Sequence, residues 1–551
     1  MPSPFERRRA ALDSLEREPL DVLVVGGGIT GTGIARDAAL RGMRVALVER
    51  CDFASGTSSR SSRLVHGGLR YLEHGYFSLV FESSRERRLL LRLAPHLVRP
   101  LAFTWPVYRG ARVPRWKLIA GLALYDVLAL FRNVAAHRPL GSGGILAREP
   151  ALRREGLAGG ARYFDAATDD ARLTLANALG AAAAGAVVLN HAALVALRWH
   201  DGSVAGGIVT DGLGGREAEV RARVVVNAAG PWSDAVQRLE RPNASAALRG
   251  TKGAHIAVPR ERVGNREALT LLSPTDGRVV FVIPAGAQAI IGTTDTETSA
   301  TPDDVRAGDD DVAYLLAAAN HFFPAARLER GDVISAWAGI RPLVASGFDG
   351  APASASREHA IAWTPGGMLA VSGGKLTTYR AMAGEAVDAI AARLGVAAAR
   401  SPTERLPLPG GNITSVDTEV AAALGHVGDA ERARHLVHAH GSSWREVWML
   451  AEADPSLAAP LAPGLPYVRA ELVHAVRREM AYTLGDLLIR RTRIAFEMPD
   501  HGRSVAGDVS ALVASELEWN EERRAAALLD YDREVDRIFR IESSELADAP
   551  A

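Results

Sequence analysis

The chain has 551 residues, of which 48% are hydrophobic and 23% charged, so we expect a packed globular protein of two or three domains. Basic and acidic residues number 64 each, and this zero net charge gives no support for a nucleic-acid partner. The single cysteine, Cys51, excludes a disulfide framework and a cysteine-based metal site, and we predict no metal.

The first 20 residues lack the apolar core of a signal peptide, and their alternating charges predict a solvated helix. No uncharged apolar run reaches the roughly 18 residues that a membrane-spanning helix needs. We therefore expect a protein that is soluble or lies on a membrane without crossing it.

The strongest motif runs from Asp21 to Glu49. A β-type apolar run precedes Gly26, Gly28 and Gly31, which have the spacing G-x-G-x-x-G, and a helical stretch and a second β-type run follow. This order predicts a βαβ unit that binds a dinucleotide. Gly26 allows a tight turn, Gly28 allows close approach of a pyrophosphate, and Gly31 allows the helix to pack closely on the sheet. The helix N-terminus favours the anion, and Glu49 can accept hydrogen bonds from a ribose.

Two segments after this unit leave alternatives open. The serine-rich loop 54–63 can donate hydroxyls to phosphate groups, although such loops are often flexible linkers. The glycine pair in the segment 64–75 indicates close backbone approach to a flat or bulky group. The apolar segment 116–131, flanked by arginines, fits either a core helix or an amphipathic helix lying in a membrane interface.

The remaining segments predict the domain order. A buried strand ending at Ala229–Pro231 fits the same nucleotide-binding sheet, and short β-type runs between 250 and 341 predict an antiparallel sheet. The segment 368–395 repeats the order of strand, glycine turn and helix. A Pro- and Gly-rich linker at 401–412 then precedes a helical remainder, which we predict to be a separate cap.

Several motifs in this order resemble one family: TSSRSSRLVHGGLRYLEHG, NAAGPW, IIGTTD, IRPL, GGKLTTYR and MAYTLGDLLIRRTRIAF. Together with the βαβ unit they are similar to the FAD-dependent glycerol-3-phosphate dehydrogenases, the membrane-linked respiratory enzymes. The resemblance covers roughly residues 20 to 500 and implies a glutathione-reductase-like, Rossmann-type FAD domain, a substrate sheet of D-amino-acid-oxidase type and a C-terminal helical cap. The FAD domain would comprise 18–80, 160–250 and 345–398. The substrate domain would comprise 81–159 and 251–344, followed by a linker at 399–412 and the helical domain at 413–551.

The resemblance implies hydride transfer from C2 of sn-glycerol 3-phosphate to N5 of FAD, with electrons passed to a quinone. Phosphate recognition favours arginine, whose forked donors fit the anion. The implied substrate-binding residues are Arg70, Thr293, Thr294, Arg341 and Lys375. The expected catalytic residues are Arg341, Lys375 and His255, the last as a candidate base or a buried core histidine. The expected FAD-binding residues are Gly26, Gly28, Ile29, Thr30, Gly31, Glu49, Arg50, Thr57, Ser58, Ser59, Ser62, His66, Gly67, Gly68, Leu69, Ala229, Gly230, Trp232, Gly374, Lys375, Leu376 and Thr377.

The alternatives are an oxidase of the same substrate that uses O₂, an FAD oxidoreductase of another small hydroxy or amino acid, and a non-catalytic flavoprotein. The further expectations are peripheral or monotopic contact with the cytoplasmic face of the inner membrane, and a possible homodimer.

Overall fold

The computed structural model describes residues 2–243, 248–298, 300–344, 359–397 and 399–543, without the side chains at 70, 74, 248, 249 and 342–344. The strands in this part of the chain are β1 Leu20–Val25, β2 Val45–Val48, β3 Leu64–Val65, β4 Val98–Tyr108, β5 Arg138–Leu140, β6 Leu157–Thr168, β7 Val187–Leu189, β8 Ala192–His200, β9 Ser203–Asp211, β10 Glu217–Asn227, β11 Leu248–Pro259, β12 Ala268–Leu272, β13 Val279–Ala285, β14 Gln288–Gly292, β15 Thr296–Glu297, β16 Ser335–Val344, β17 Ala360–Trp363 and β18 Leu369–Ser372. The α-helices are α1 Pro4–Arg17, α2 Ile29–Leu40, α3 Phe77–Leu93, α4 Arg115–Leu128, α5 Ser142–Arg148, α6 Asp170–Ala183, α7 Ser233–Glu240, α8 Arg260–Val263, α9 Asp309–Phe322, α10 Tyr379–Leu394, α11 Val416–Val427, α12 Ala430–His440, α13 Trp444–Ala453, α14 Arg469–Arg478, α15 Ile494–Glu497, α16 Arg503–Val513 and α17 Glu521–Phe539, with a π-helical turn at Asp486–Arg491.

The first sheet carries the predicted βαβ unit. Its order is β17-β18-β10-β1-β2-β7, with β1, β2, β7, β10 and β18 parallel; β9 pairs antiparallel with the first half of β10, and β8 pairs antiparallel with β9. The apolar residues of the parallel strands pack against α2, α6 and α10 on one face and against α1 and the β8–β9 hairpin on the other. The carboxyl ends of β1, β2, β10 and β18 meet at one edge, and this places the glycine turn beside the turns after β10 and β18.

The second sheet is mostly antiparallel, as predicted. Its order is β15-β11-β14-β13-β12-β4-β6-β3, with β16 pairing β11 and β5 pairing β6. Strand β6 reaches Thr168 inside this sheet, and β3 at Leu64–Val65 also belongs to it. The predicted boundaries at residues 80 and 160 therefore differ from the sheet limits, because β3 and β6 find their pairing partners in the second sheet.

The C-terminal region is helical, as predicted, and it shares a core with the second sheet. Leu487, Phe496 and Val513 belong to the same buried cluster as Phe103 and Trp337. Sequence spacing does not reveal such long-range packing. The resulting fold is a Rossmann-type parallel sheet, a second, mostly antiparallel sheet and a helical domain that packs on both.

Two sequence expectations concern the chain surface. Helix α1 is not simply solvated, because Leu12 and Leu15 are buried and Arg8 forms an ion pair with Asp211 at 2.6 Å. Among the described residues, no helix combines the length and the apolar character needed to cross a membrane.

Candidate active site

Three adjoining cavities run from the glycine turn to the second sheet, with volumes of about 320, 210 and 400 Å³. The first and second share the walls formed by Gly26, Glu49 and Trp232, and the second and third share Thr57 and Lys375. We call them the outer, middle and inner cavities. Together they form an elongated cleft of the kind that an extended dinucleotide requires.

The three glycines of the turn have different surroundings. Gly26 has a φ of +112°, which favours glycine, and a Cβ there would lie 2.6 Å from the carbonyl oxygen of Ala228. A Cβ on Gly31 would overlap the carbonyl oxygen of Gly26, so this residue permits the close packing of α2. A Cβ on Gly28 would meet only the hydroxyl of Ser58, at 3.3 Å. Gly28 lines the middle cavity together with Ile29 and Thr30.

Glu49 lies at the junction of the outer and middle cavities. Its carboxylate accepts hydrogen bonds from the backbone N–H groups of Gly27 at 2.6 Å and Cys51 at 2.8 Å. Burial raises the pKa of Glu49, and these two bonds oppose the rise. Since each carboxylate oxygen has a second lone pair, the residue can still accept a ribose hydroxyl.

Arg50 and Trp232 form one wall of the outer cavity. The guanidinium of Arg50 lies 5.4 Å from the centre of the Trp232 ring, and both side chains donate to Asp303. Ala229 lines the outer and middle cavities and Gly230 the middle one. The turn after β10 therefore faces the turn after β1, as expected for a nucleotide site.

The serine-rich loop is ordered by hydrogen bonds. Ser58 accepts a bond from the N–H of Ile29 at 3.0 Å, and Thr57 donates to the carbonyl oxygen of Ile340 at 2.7 Å. Ser62 bonds the ring of His255 at 2.8 Å. Ser59 is buried and donates to the carbonyl oxygen of Gly56, so its hydroxyl supports the loop and is not among the groups lining the cavities.

The glycine pair after β3 borders the inner cavity. Of the predicted residues here, His66, Gly68, Leu69, Gly374 and Leu376 line it. Gly67 lies behind them, where a Cβ would overlap the hydroxyl of Tyr125. Thr377 is buried and its hydroxyl bonds the backbone N–H and carbonyl of His66, so it ties the two glycine turns together.

Arg341 projects into the inner cavity from β16. Its guanidinium bonds Asp295 at 2.8 Å, the hydroxyl of Thr293 at 3.0 Å and the carbonyl oxygen of Thr294 at 3.2 Å. Thr293 lines the same cavity, whereas the hydroxyl of Thr294 accepts a bond from the N–H of Ala254 and is buried. The structure therefore brings Thr293 and Arg341 together and turns the Thr294 side chain to the strand.

Lys375 borders both the middle and the inner cavity. Its ammonium group lies 3.8 Å from the centre of the Tyr71 ring and 3.4 Å from the hydroxyl of Ser83. It thus presents a cation at the junction between the dinucleotide path and the inner cavity. The side chain of Arg70, which was also predicted to bind substrate, lies outside the part of the chain that the structure describes.

His255 lines the inner cavity from β11 and stacks on Trp337 at 5.5 Å between ring centres. Burial, together with the charges of Arg341 and Arg63, lowers the pKa of His255 to about 3. The imidazole is therefore neutral near pH 7 and able to accept a proton. Its Nδ1 atom is buried without a hydrogen-bond partner among the described residues.

Sequence reasoning missed several residues of the inner cavity. Arg60 is buried, its Nε lacks a hydrogen-bond partner among the described residues, and burial lowers its pKa to about 10. A buried cation of this kind fits a site built for an anionic ligand. Tyr163 and Thr270 bond each other at 2.9 Å in the wall, and Arg278 lines the opening. Only Arg60 carries a sequence signal, because it lies in the serine-rich loop.

Comparison with known proteins gives consistent matches. Residues 21–380 match the family described as FAD dependent oxidoreductase, and residues 401–524 match the C-terminal domain of alpha-glycerophosphate oxidase. Glycerol-3-phosphate dehydrogenase 2 of Mycobacterium tuberculosis is 41% identical, with 98% of this chain and 92% of the relative covered. The glycerol-3-phosphate dehydrogenase of Synechocystis is 38% identical, with 92% and 95% covered. The solved structure of the Bacillus halodurans glycerol-3-phosphate dehydrogenase complexed with FAD has a TM-score of 0.81 at 32% identity, with 97% and 98% covered.

The two sheets and the cleft between their turns define an FAD-dependent oxidoreductase. FAD is the cofactor, and the residues present fit it: the glycine turn leaves room for a pyrophosphate, and Glu49 lies at the end of β2. The sequence matches then narrow the class, and the chain belongs to the FAD-dependent glycerol-3-phosphate dehydrogenases.

Proposed function

We propose that this protein oxidises sn-glycerol 3-phosphate to dihydroxyacetone phosphate and passes the electrons to a quinone. The observation that carries the proposal is the set of side chains that line the inner cavity. Arg341 is a cation suited to binding phosphate, His255 is a neutral base and Lys375 is a second cation. The relatives named as glycerol-3-phosphate dehydrogenases support the same substrate.

Bound FAD supplies the hydride acceptor. In the proposal, Arg341 and Thr293 hold the phosphate, because a guanidinium donates forked hydrogen bonds to an anion and a hydroxyl donates a single one. Lys375, on the side of the dinucleotide path, stabilises negative charge that develops there. Arg278 at the opening adds to the positive field that attracts the substrate.

His255 accepts the proton of the C2 hydroxyl through Ser62, whose hydroxyl bonds Nε2 at 2.8 Å: Ser62 passes its own proton to Nε2 as it takes the substrate proton. In the free protein the charge of Arg341 contributes to the low pKa of this imidazole. A phosphate bound to Arg341 offsets that charge and raises the pKa of His255. Binding of the correct substrate therefore strengthens the base that acts on it.

The test is the anaerobic absorbance of the FAD-loaded protein before and after adding glycerol 3-phosphate. We expect the absorbance of the oxidised flavin to disappear with glycerol 3-phosphate and to persist with the same concentration of glycerol. Full FAD occupancy without bleaching by glycerol 3-phosphate would contradict the proposed activity and favour a non-catalytic flavoprotein. Bleaching by a hydroxy or amino acid instead would assign another substrate.

An oxidase reaction with O₂ is the second candidate, favoured by the match of residues 401–524 to a domain of alpha-glycerophosphate oxidase. Mixing the substrate-reduced protein with air-saturated buffer or with a soluble quinone separates the two. The dehydrogenase proposal expects fast reoxidation by the quinone and slow reoxidation by O₂. Stoichiometric peroxide and faster reoxidation by O₂ would establish the oxidase.

We also propose that α4 and the adjoining end of α3 contact the cytoplasmic face of the inner membrane. One face of α4 packs inward through Leu118, Leu122 and Tyr125. The outer side exposes large apolar side chains of both helices and their flanks: Tyr76, Phe77, Phe81, Trp116, Leu124, Val127, Leu130 and Phe131. We call this set the apolar patch. The flanking cations Arg112, Arg115 and Lys117 are exposed beside it, as an anionic lipid surface requires.

Liposome flotation tests this contact. Replacing Trp116 and Phe131, which are 72% and 75% exposed, by serine should reduce binding to anionic vesicles because both side chains lose apolar contact with lipid. The matched control is Met449→Ser, at a residue 63% exposed on α13. Equal flotation of the double variant and the control would show that the apolar patch is not the contact.

A further inference from the structure

The outer cavity has one wall that comes from the far end of the chain. Arg537, in the last turn of α17, lines this cavity together with Glu49, Arg50 and Trp232. Because Glu49 ends the second strand of the βαβ unit, the outer cavity is the adenosine half of the FAD cleft. The inner cavity, with His255 and Arg341, lies at the other end.

Arg537 adjoins an ion network whose other members are largely buried. Its guanidinium bonds Oε1 of Glu534 at 3.5 Å, and the same oxygen accepts a bond from Arg490 at 2.7 Å. Arg490 also bonds Asp52 at 2.7 Å, and Asp52 follows Glu49 by three residues. A chain of charged groups therefore connects the segment after β2, which carries Glu49 and Asp52, to the π-helical turn and to α17.

The end of α17 is also held by backbone contacts. Arg306 donates from Nε to the carbonyl oxygen of Arg537 at 3.1 Å, and the N–H of Glu542 donates to Ala307 at 3.0 Å. Gly485 makes room for the network, since a Cβ there would overlap the carboxylate of Glu534. Arg537 is thus anchored at the cavity wall, with 29% of its side chain exposed.

We propose that Arg537 is an FAD-binding residue, supplied by the C-terminal helical domain to the adenosine half of the cofactor. The ligand group that it recognises is the anionic or hydrogen-bond-accepting part of an adenosine diphosphate, to which a guanidinium donates. Retention of FAD then depends on the docking of α17, most of which lies beyond the family match that ends at residue 524.

The test measures flavin binding to the apoprotein by fluorescence titration, with FAD and FMN as separate ligands. FMN lacks the adenosine monophosphate that the outer cavity would hold. The variants are Arg537→Ala and Arg537→Lys, and the control is Arg533→Ala, four residues earlier on α17 and 77% exposed. Circular dichroism of each apoprotein establishes that it is folded.

For Arg537→Ala we expect the Kd for FAD to rise about 10- to 150-fold, the range that the loss of one charge-assisted bond gives. The Kd for FMN should stay within about twofold of the wild-type value, and Arg533→Ala should leave both unchanged. Arg537→Lys should restore part of the FAD affinity because it keeps the charge. Since only binding is measured, the result is independent of the substrate proposed above.

Either of two results would overturn the proposal. An unchanged Kd for FAD in folded Arg537→Ala would show that the side chain makes no contact that matters. An equal rise for FAD and FMN, or an equal rise in Arg533→Ala, would show that the substitution disturbs the helix rather than the adenosine half. If Arg537→Ala does not fold, Arg537→Gln, which keeps most of the side-chain length, replaces it under the same two criteria.

Discussion

Replacing Arg341 by alanine tests the assignment of the phosphate site most directly. In the free protein its guanidinium forms an ion pair with Asp295 at 2.8 Å, and both side chains are more than a third exposed. Such a pair contributes about 1 kcal/mol or less because water screens it. A charge-assisted bond to a bound phosphate contributes about 1.5 to 3 kcal/mol. The phosphate is therefore expected to compete successfully with Asp295 for Arg341.

From this balance, Arg341→Ala should lower kcat/KM for glycerol 3-phosphate about 10- to 150-fold. Its loss also leaves the carboxylate of Asp295 facing the phosphate without a neutralising cation, which adds repulsion. Arg341→Ala/Asp295→Asn should therefore recover part of the lost activity. This partial rescue is the result that a simple loss of fold would not produce.

The assay compares wild type and the two variants on glycerol 3-phosphate and on glycerol, with a soluble quinone as acceptor. Glycerol has no phosphate, so its kcat/KM should fall much less in Arg341→Ala. Equal fractional losses on both substrates would refute the reasoning and assign Arg341 to the chemistry or to the fold. A further loss in the double variant would show that Asp295 assists binding.

Three other predictions follow from the cleft. Gly28→Val should give a folded protein with reduced FAD content, measured by absorbance. Gly31→Ala should fail to fold because its Cβ overlaps the carbonyl oxygen of Gly26. Full FAD content in Gly28→Val would contradict the assignment of the glycine turn. Lys375→Met should slow anaerobic flavin reduction by glycerol 3-phosphate about 10-fold or more in stopped-flow measurements, and a rate within about twofold of wild type would remove Lys375 from the reaction. His255 has a pKa of about 3 when folded and about 6.5 when unfolded, so the unfolded chain binds more protons as the pH falls below 6.5. His255 should therefore lower the free energy of unfolding of the apoprotein by about 2 kcal/mol between pH 7 and pH 5. In denaturant titrations, His255→Gln should reduce the measured loss by that amount. An identical loss in wild type and variant would contradict the buried, neutral state of His255.

The apolar and glycine patterns of the sequence determined the nucleotide-binding unit. The spacing of Gly26, Gly28 and Gly31 between two β-type runs requires only neighbouring residues, because a turn and the helix after it form locally. The same reasoning applies to the short β-type runs of the antiparallel sheet. These features depend on propensity and periodicity, which the sequence shows directly.

The composition of the inner cavity was decided by tertiary structure. Arg341 and Lys375 carried a family resemblance, but Tyr163 and Thr270 entered the cavity only because β6 and β12 both pair with β4. The hydroxyl of Thr294 points to the strand backbone, whereas that of its neighbour Thr293 bonds Arg341. Adjacent residues in an extended segment face opposite sides, so their resemblance to a motif does not determine which one lines the cavity.

The same limit applies to the C-terminal domain. The helical periodicity of this domain is visible in the sequence, but the ion-pair partners of its charged residues are not. Arg490 and Arg491 bond Asp52, and Glu479 bonds Arg172. These ion pairs join residues more than 300 positions apart, and burial makes each cation depend on its carboxylate. The sequence by itself determined the dinucleotide unit, the sheet types and the family. Only the tertiary structure determined that the helical domain docks on the FAD sheet and brings Arg537 to its adenosine end, because such contacts depend on which distant surfaces are complementary.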